Sequence, residues 1–459
     1  MTKRKKRFID WLRMALTVSL TVLLVSIHFA ARKEQSATVC TDEDLSAERI
    51  WPADTACCSL PFAIDSLCVA TDGAQSLAPF FTALDSLRAG KDTVISIVHL
   101  GDSHIQAGHY SGRIMRLLHE QFGSAGRGWL SPHKLGRSNE PDDYMIASSA
   151  KGWIAGRCIQ RVQKCPIGPG GIGLQTASPV VNLDLTITPR NGAGYSFNQA
   201  VLYRSSTSMP LLPAGVNKQQ VHLFRAQSAV VPGLLTDTFR IDYRTDSLQL
   251  HSTRRKAGTD SLLPSTAFTN RYYGFSLTNG QPGILYHSVA VNGAMFVNYT
   301  DEAYVRQLAL LKPSLLIISL GTNETFGRSF SAVEFSGQIR AFLTLVKREM
   351  PHTALMLTTP PECYKRIYVR KKRTYVRNEN IQCAARAITE LAARDGIACW
   401  DLFTATGGVN SCKKWYAAQL MARDRVHFSK EGYQEQGVLL YRALMRLKEK
   451  KMSLPNEAY

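Results

Sequence analysis

The chain has 459 residues, of which 45% are hydrophobic and 20% are charged. That length exceeds one ordinary domain, and the composition is that of a globular protein with ample apolar material for a core. The formal charge of +19 suggests nucleic-acid binding, but Lys3–Arg7 and Lys365–Arg377 supply five and seven of those charges, and no nucleic-acid-binding motif is present. The charge therefore predicts local cationic patches and no nucleic-acid partner.

The N-terminus carries the clearest targeting signal. Lys3–Arg7 precede an uncharged stretch, Met14–Ala31, whose 18 residues approach the roughly 20 needed for a transmembrane helix. Because Arg32 and Lys33 follow directly, there is no clean cleavage site, although a signal peptide is the competing interpretation. Basic clusters stay in the cytoplasm. We therefore expect residues 1–34 to be an uncleaved single-pass anchor in the inner membrane, with the rest of the chain periplasmic.

The ten cysteines fit an oxidising compartment, but sequence alone does not fix their pairing. Local pairing is open to two groups, which are Cys40, Cys57, Cys58 and Cys68, and Cys158 with Cys165. No cysteine or histidine cluster has the spacing of metal ligands, so we expect no metal site.

Residues 35–88 are weakly patterned and interrupted by prolines, and we interpret them as a linker or lead-in. The pattern changes at Val94–Leu100, a short apolar run that ends at Gly101, as expected of a buried parallel strand. Tyr110–Phe122 then has the periodicity of an amphipathic helix. Residues 89–130 are therefore predicted to form the first part of an α/β domain.

Residues 131–281 have a different character, with frequent Gly, Pro, Ser and Thr between short alternating runs, as in an all-β domain. Strands and helices then alternate again across residues 282–452. The predicted strands are Ile284–Val291, Ser314–Leu320, Ala354–Thr359 and Ala398–Leu402. The predicted helices are Phe335–Glu349 behind a Ser331/Glu334 capping box, Glu379–Asp395 and Lys430–Met452.

Strands that alternate with helices indicate an α/β fold with a doubly wound, flavodoxin-like parallel sheet. Here the sheet would be interrupted by an inserted, sandwich-like all-β domain and preceded by the transmembrane helix. Ligands of such sheets bind outside the carboxyl ends of the strands. Side chains that directly follow a predicted strand are therefore candidates for chemistry.

Ser103 follows the first strand within Gly101-Asp102-Ser103-His104. A serine hydroxyl needs a base to become a nucleophile, and Asp424 and His427 have the spacing of a carboxylate that orients an imidazole base. The structural alternatives are a helix N-cap for Ser103 and a surface cap for the Asp/His pair.

Two further strand ends carry candidate oxyanion donors. Asn323 follows the apolar strand that ends at Leu320, and its side-chain amide could donate to a developing negative charge. Gly293 follows the strand that ends at Val291, where a glycine lets backbone N–H approach a substrate closely. Each could equally be a simple turn.

Together these blocks resemble the SGNH, or GDSL-like, hydrolases, which are named for Ser, Gly, Asn and His in four blocks. Ser103, Gly293, Asn323 and His427 match the four blocks, and Asp424 matches the acid of the triad. The resemblance implies that Ser103 N–H, Gly293 N–H and the Asn323 amide form an oxyanion hole. Where the family usually has Gly-x-Asn-Asp, this chain has Glu324 after the Asn, so the supporting role of that second carboxylate is open.

A closer likeness appears in HLGDSHIQAGHYSGRI, FGSAGRGW and VAVNGAMF. These segments resemble two-domain bacterial cell-envelope members of the family, including peptidoglycan O-acetylesterases, whose β-sandwich insertion resembles a carbohydrate-binding module. The resemblance implies a serine esterase that removes O-acetyl groups from an envelope polysaccharide, peptidoglycan first, without metal or cofactor. An O-acetyltransferase, a non-catalytic glycan-binding protein and a lipid or thioester hydrolase are the alternatives.

Other residues near these motifs have local roles in our interpretation. Asp102 should orient the turn, and His99 and His104 should pack or bond locally rather than act as bases. The basic run after the predicted strand at Thr359 is expected to be a solvated loop. A sharper hypothesis is that four of its residues bind an anionic polymer, namely Arg370, Lys371, Lys372 and Arg373.

Overall fold

The computed structural model describes residues 72–453, apart from short gaps at 190–193, 216–217, 256–257, 259, 265–267 and 328, together with Leu60 and Ala63. The predicted anchor and the cysteines up to Cys68 lie outside the described residues. Within the described part of the chain, no helix is both long and apolar enough to cross a membrane.

The first layer is a six-stranded, wholly parallel sheet. Its strands are β1 (Val94–Gly101), β2 (Ser124–Gly126), β14 (Gly283–Ala290), β15 (Leu315–Ser319), β16 (Ala354–Thr358) and β19 (Ala398–Trp400). They lie side by side in the order β19-β16-β15-β1-β14-β2. All the predicted strands of this sheet are therefore present, each ending one or two residues from the expected boundary. Only the short edge strand β2 was not predicted.

Helices cover both faces of this sheet. Ile95 and Ile97 of β1 belong to the buried cluster that includes α1 (Ala78–Arg88), α3 (His109–Phe122) and α10 (Lys430–Ser453). Val98 and Leu100 belong to a second cluster with α5 (Glu302–Ala309), α6 (Ala332–Glu349) and α7 (Asn380–Arg394). The shorter helices are α2 (Ser103–Gln106), α4 (Phe296–Tyr299), α8 (Leu402–Ala405) and α9 (Ser411–Ala417), with 3-10 turns at Asp72–Leu77, Lys218–Gln220 and Asn323–Phe326.

The predicted all-β region contains two antiparallel sheets. In the strand Val180–Ile187 alternate residues are buried, which is the pattern of a sheet with one packed face. A seven-stranded sheet contains β3 (Gly128–Leu130), β5 (Ile154–Arg157), β6 (Ile172–Thr176), β8 (Phe197–Ser205), β10 (Val221–Gln227), β11 (Leu234–Thr245) and β13 (Asn270–Thr278). A four-stranded sheet contains β4 (Tyr144–Ala147), β7 (Val180–Ile187), β9 (Leu212–Ala214) and β12 (Ser247–Thr253).

A glycine pair joins the parallel sheet to the seven-stranded one. Gly126 ends β2 and Gly128 begins β3, which pairs with β13 of the seven-stranded sheet. A Cβ atom would lie 2.5 Å from the Leu277 carbonyl oxygen at Gly126 and 2.4 Å from the Tyr286 carbonyl oxygen at Gly128. Only glycine fits between these backbones, so the two sheets can share consecutive strands.

Two sequence interpretations need correction. The end of the predicted linker is part of the core, because Asp72–Leu77 and α1 are helical and Phe80 and Phe81 are each 1% exposed. The basic run is not an irregular loop but a hairpin of β17 (Tyr364–Val369) and β18 (Lys372–Arg377).

Cys158 and Cys165 are buried free thiols rather than a disulfide. The Cys165 thiol donates to the Gly173 carbonyl at 3.3 Å, whereas the sulfur of Cys158 bonds with the Tyr299 side chain. The two sulfur atoms therefore have different partners.

The burial of α1 can be tested by Phe80→Ala. Truncating a buried Phe removes its packing and leaves a cavity, so we expect a loss of about 3–5 kcal/mol in the free energy of unfolding, measured by urea denaturation. The matched control is Thr82→Ala on the exposed side of the same helix, which should change stability by less than about 0.5 kcal/mol. Equal effects of the two substitutions would contradict the packing of α1 on the sheet.

Candidate active site

The carboxyl end of β1 carries Ser103. Asp102 is the N-cap of the short helix α2, and its Oδ1 accepts the His104 N–H at 2.9 Å. Ser103 is the first residue of that helix, directly after the sheet edge. The expected role of Asp102 in orienting the turn is therefore borne out by its contacts.

A tight loop before α10 brings His427 to the same edge. His427 Nε2 lies 2.9 Å from Ser103 Oγ, and His427 Nδ1 lies 2.8 Å from Asp424 Oδ2. The other carboxylate oxygen of Asp424 accepts the backbone N–H groups of Val426 and His427 at 2.9 and 3.0 Å. A proton held at Nδ1 by the carboxylate leaves Nε2 free to accept the hydroxyl hydrogen of Ser103.

Hydrogen bonds determine the ionisation of this pair. Partial burial alone would raise the pKa of Asp424, but the hydrogen bonds from the His427 ring and the two backbone N–H groups outweigh it and hold that pKa well below its usual range. The same hydrogen bond to Asp424 raises the pKa of His427, against partial desolvation. Asp424 is therefore ionised at neutral pH, and His427 becomes a base only above its raised pKa.

Gly293 follows β14, the strand that pairs with β1 on one side. It is exposed and adopts a φ of +81°, a left-handed conformation that favours glycine. The preceding Asn292 N–H donates to Gln106 Oε1 of α2 at 2.7 Å. The hydrogen bond fixes the Gly293 turn to the helix that begins with Ser103.

Asn323 connects the loop after β1 with the loop after β14. Its amide nitrogen donates to Asp102 Oδ2 at 2.9 Å and to the Ala294 carbonyl at 3.0 Å. Both amide hydrogens are thus engaged, so donation to a substrate oxygen requires one of them to be shared or exchanged. Burial raises the pKa of Asp102 to about 7. A protonated carboxyl is a weaker acceptor than a carboxylate, so the contact with Asp102 is the easier of the two to exchange.

Glu324, the departure from the usual family block, supports the Gly293 side of the site. Its Oε1 accepts the Phe296 N–H at 2.9 Å, just beyond the loop that holds Gly293. Burial also raises the pKa of Glu324, to about 7. The longer side chain therefore reaches across to the neighbouring loop and holds it in place.

The nearby histidines are structural, as expected. His99 Nδ1 and Nε2 lie 2.7 Å from Tyr286 Oη and Ser319 Oγ, and burial lowers its pKa to about 3. His104 Nδ1 lies 2.9 Å from Tyr433 Oη, and burial likewise lowers its pKa to about 3. Both rings therefore stay neutral.

The four cations of the basic run lie on the hairpin. Arg370 and Lys371 form its two-residue turn, and Lys372 and Arg373 begin β18. All four side chains are exposed. The base of the hairpin contacts the Asp424–His427 loop, because the N–H of Tyr364 donates to the Arg425 carbonyl at 2.9 Å.

Several residues at the site carried no recognisable sequence signal. Ser138 and Asn139 come from the predicted all-β region, yet both accept hydrogen bonds from Gln106 Nε2, at 2.8 and 2.7–2.9 Å. Asn292 Nδ2 also donates to Asn139 Oδ1 at 2.5 Å. Polar residues in a loop have no periodicity that would reveal such a contact. Among the described residues, no group of three or more His, Cys, Asp or Glu side chains is arranged to hold a metal ion.

Part of the chain matches a known family. Residues 258–435 match the model of the GDSL-like Lipase/Acylhydrolase family, a span that contains Gly293, Asn323, Asp424 and His427. Ser103 lies before it. No curated protein sequence is significantly similar to the chain.

Among solved structures, a peptidoglycan O-acetylesterase aligns with a TM-score of 0.65 at 20% identity, over 83% of this chain and 99% of that one. A putative acylhydrolase from Bacteroides fragilis aligns at 18% identity over 36% of this chain and 76% of its own, with a TM-score of 0.28. A GDSL-like lipase from Bacteroides thetaiotaomicron aligns at 20% identity over 35% and 76%, also with a TM-score of 0.28.

The chain therefore has an α/β fold in which Ser103, His427 and Asp424 meet at the carboxyl edge of a parallel sheet. Over residues 258–435 the chain is similar to the GDSL-like, or SGNH, hydrolases.

The hydrogen bond between Asp424 and His427 can be tested by titration. Because that bond raises the pKa of His427, Asp424→Asn should lower it, and the ring should lose its proton at a lower pH than in the wild type. NMR of the imidazole C–H signals, assigned with His427→Gln, measures both values. An unchanged pKa in Asp424→Asn would contradict the contact.

Proposed function

We propose that the chain is a serine esterase that removes O-acetyl groups from an envelope polysaccharide, with peptidoglycan as the first candidate. The proposal rests on two distances: Ser103 Oγ lies 2.9 Å from His427 Nε2, and Asp424 Oδ2 lies 2.8 Å from His427 Nδ1. This arrangement suits the activation of a serine nucleophile by a histidine base. No step needs a metal or a cofactor.

In the proposed mechanism, His427 takes the proton from Ser103 as its oxygen attacks the ester carbonyl. The oxyanion is stabilised by Ser103 N–H, Gly293 N–H and the Asn323 amide, which exchanges its contact with Asp102 for the substrate. His427 then protonates the sugar oxygen as its bond to the acetyl carbon breaks, and the acetyl group stays on Ser103. Water, deprotonated by His427, releases acetate by the same route.

The choice of substrate rests on similarity of fold across both parts of the chain. The peptidoglycan O-acetylesterase described above aligns over nearly its whole length, and the antiparallel sheets reach the site through Ser138 and Asn139. A glycan substrate further suits the location we propose for the protein. We infer that residues 1–34 anchor it in the inner membrane with the hydrolase on the periplasmic side.

Ser103→Ala tests the esterase activity. The purified full-length protein should release acetate from O-acetylated peptidoglycan, and the variant should lose at least about a thousandfold of that rate because the attacking oxygen is gone. Release is measured by an enzymatic acetate assay.

The remaining outcomes distinguish the alternatives. Ser103-dependent turnover of a small acetyl ester without release from peptidoglycan would redirect the search to another polysaccharide or to acetyl transfer, which an added acceptor glycan would reveal. Inactivity on both substrates would leave a glycan-binding protein.

We further propose that the hairpin cations bind anionic groups of the polymer. A variant that removes the four charges but keeps the turn is Arg370→Asn, Lys371→Gly, Lys372→Gln and Arg373→Gln, because Asn-Gly suits a turn with two positive φ angles. We expect affinity for the polymer to fall about ten- to a hundredfold, since exposed ion pairs contribute about 0.2–1 kcal/mol each. Co-sedimentation with insoluble peptidoglycan measures the binding.

The matched control removes exposed cations elsewhere, with Arg340→Gln, Lys347→Gln, Arg386→Gln and Lys413→Gln. It should bind almost as well as the wild type, and added salt should abolish the difference between the two variants. Equal weakening by both variants would point to net charge rather than to the hairpin. Equal loss of small-ester hydrolysis and polymer binding in the hairpin variant would make the hairpin structural.

A further inference from the structure

Arg425 occupies a backbone position that suits glycine better. It lies between Asp424 and Val426 with a φ of +57°, in the left-handed region. Residues with a Cβ atom are strained there, whereas glycine adopts this conformation without cost. An arginine at such a position has to be explained by what its side chain does.

The side chain lies among three tyrosine rings. The guanidinium carbon is 4.6 Å from the ring centroid of Tyr416, 4.7 Å from that of Tyr375 and 6.0 Å from that of Tyr364. These distances are those of cation–π contacts. The rings belong to α9, β18 and β17, so one side chain contacts three separate elements. We call this group, Arg425 with Tyr364, Tyr375 and Tyr416, the tyrosine bracket.

The backbone of Arg425 fixes the same loop. Its carbonyl accepts the Tyr364 N–H at 2.9 Å and the Cys412 thiol at 3.8 Å. Its own N–H donates to the Ala422 carbonyl at 3.0 Å. Arg425 therefore joins the loop to the base of the hairpin and to α9 through both backbone and side chain.

Burial gives this loop only part of its support. Met421 and Phe428, which flank the loop, are buried, but the side chains of Asp424 and His427 are 51% and 40% exposed, so the core does not enclose them. Asp424 is bonded to the backbone of Val426 and His427 within its own loop. Because Arg425 lies between these two residues, a change in its backbone conformation would disturb both the Asp424–His427 contact and the distance from His427 to Ser103.

We propose that Arg425 is a positioning residue, and that the tyrosine bracket holds the Asp424–His427 loop in register with Ser103. The proposal rests on the esterase function above. It also makes the cationic hairpin part of the support of the base, because β17 and β18 supply two of the three rings. Small displacements of a catalytic base cost large factors in rate, so loosening the bracket should lower kcat and leave KM nearly unchanged.

The decisive variant is Arg425→Gly, which removes the side chain and relieves the backbone strain. We expect kcat for a small acetyl ester to fall about ten- to a hundredfold, with little change in KM. The melting temperature should fall by only a few degrees, because relief of the backbone strain offsets part of the lost cation–π contacts. If the Arg425 side chain only fills the turn, Arg425→Gly should keep the wild-type kcat, and that result would overturn the proposal.

Variants of Tyr375 provide an independent test. Tyr375→Phe keeps a ring over the guanidinium and should retain most of the rate, whereas Tyr375→Leu removes the ring and should approach the Arg425→Gly rate. Equal rates for Phe and Leu would exclude the cation–π contact as the support.

The pKa of His427 separates failure of the inference from failure of the proposed function. Asp424, Asp102 and His104 are the titratable groups that act on His427. Arg425 is not among them, and removal of a positive charge cannot lower the pKa of a nearby imidazole, whereas loss of the Asp424 contact would lower it. A lower pKa in Arg425→Gly, read by NMR, supports the bracket even if no ester is hydrolysed, and an unchanged or higher pKa contradicts it.

Discussion

Gly101 lies level with Ala290 of β14 on one side and with Ser319 of β15 on the other. The three strands are parallel and end together, so the residues that follow each of them emerge at one edge of the sheet. Ser103, Gly293 and Asn323 come from those three loops. A slip of one residue in either pairing would turn the side chains of that strand to the opposite face and separate the loops. The rest of the site depends on this register.

Hydrogen bonds then convert neighbouring loops into a fixed geometry. Asn323 connects the loop of Asp102 with that of Ala294, Glu324 reaches the backbone beyond it, and Gln106 holds the turn before Gly293. Each contact joins elements far apart in sequence. Burial raises the pKa values of Asp102 and Glu324, and the oxygens of both carboxyls accept N–H groups, so both residues support the site as hydrogen-bond acceptors.

The sequence predicted the sheet and the Ser, Gly, Asn and Asp/His blocks because each block directly follows an apolar run or precedes the last helix. The rest of the site has no comparable signal. Ser138 and Asn139 reach Gln106 only through the tertiary fold, and the role of Arg425 depends on rings from three elements. Asp72–Arg88 lacked a pattern strong enough to indicate that Phe80 and Phe81 are core residues. Local periodicity identifies elements, whereas contacts between loops depend on how those elements pack.

The antiparallel sheets are joined to the catalytic edge at two separated places, and this limits how they can move. The Gly126–Gly128 junction passes the chain from one sheet to the other with no room for a side chain. The Gln106 contacts with Ser138 and Asn139 hold the same region beside the nucleophile helix. Two attachments at different points prevent rotation about either one. A ligand bound on the antiparallel sheets would therefore meet Ser103 in a constant orientation.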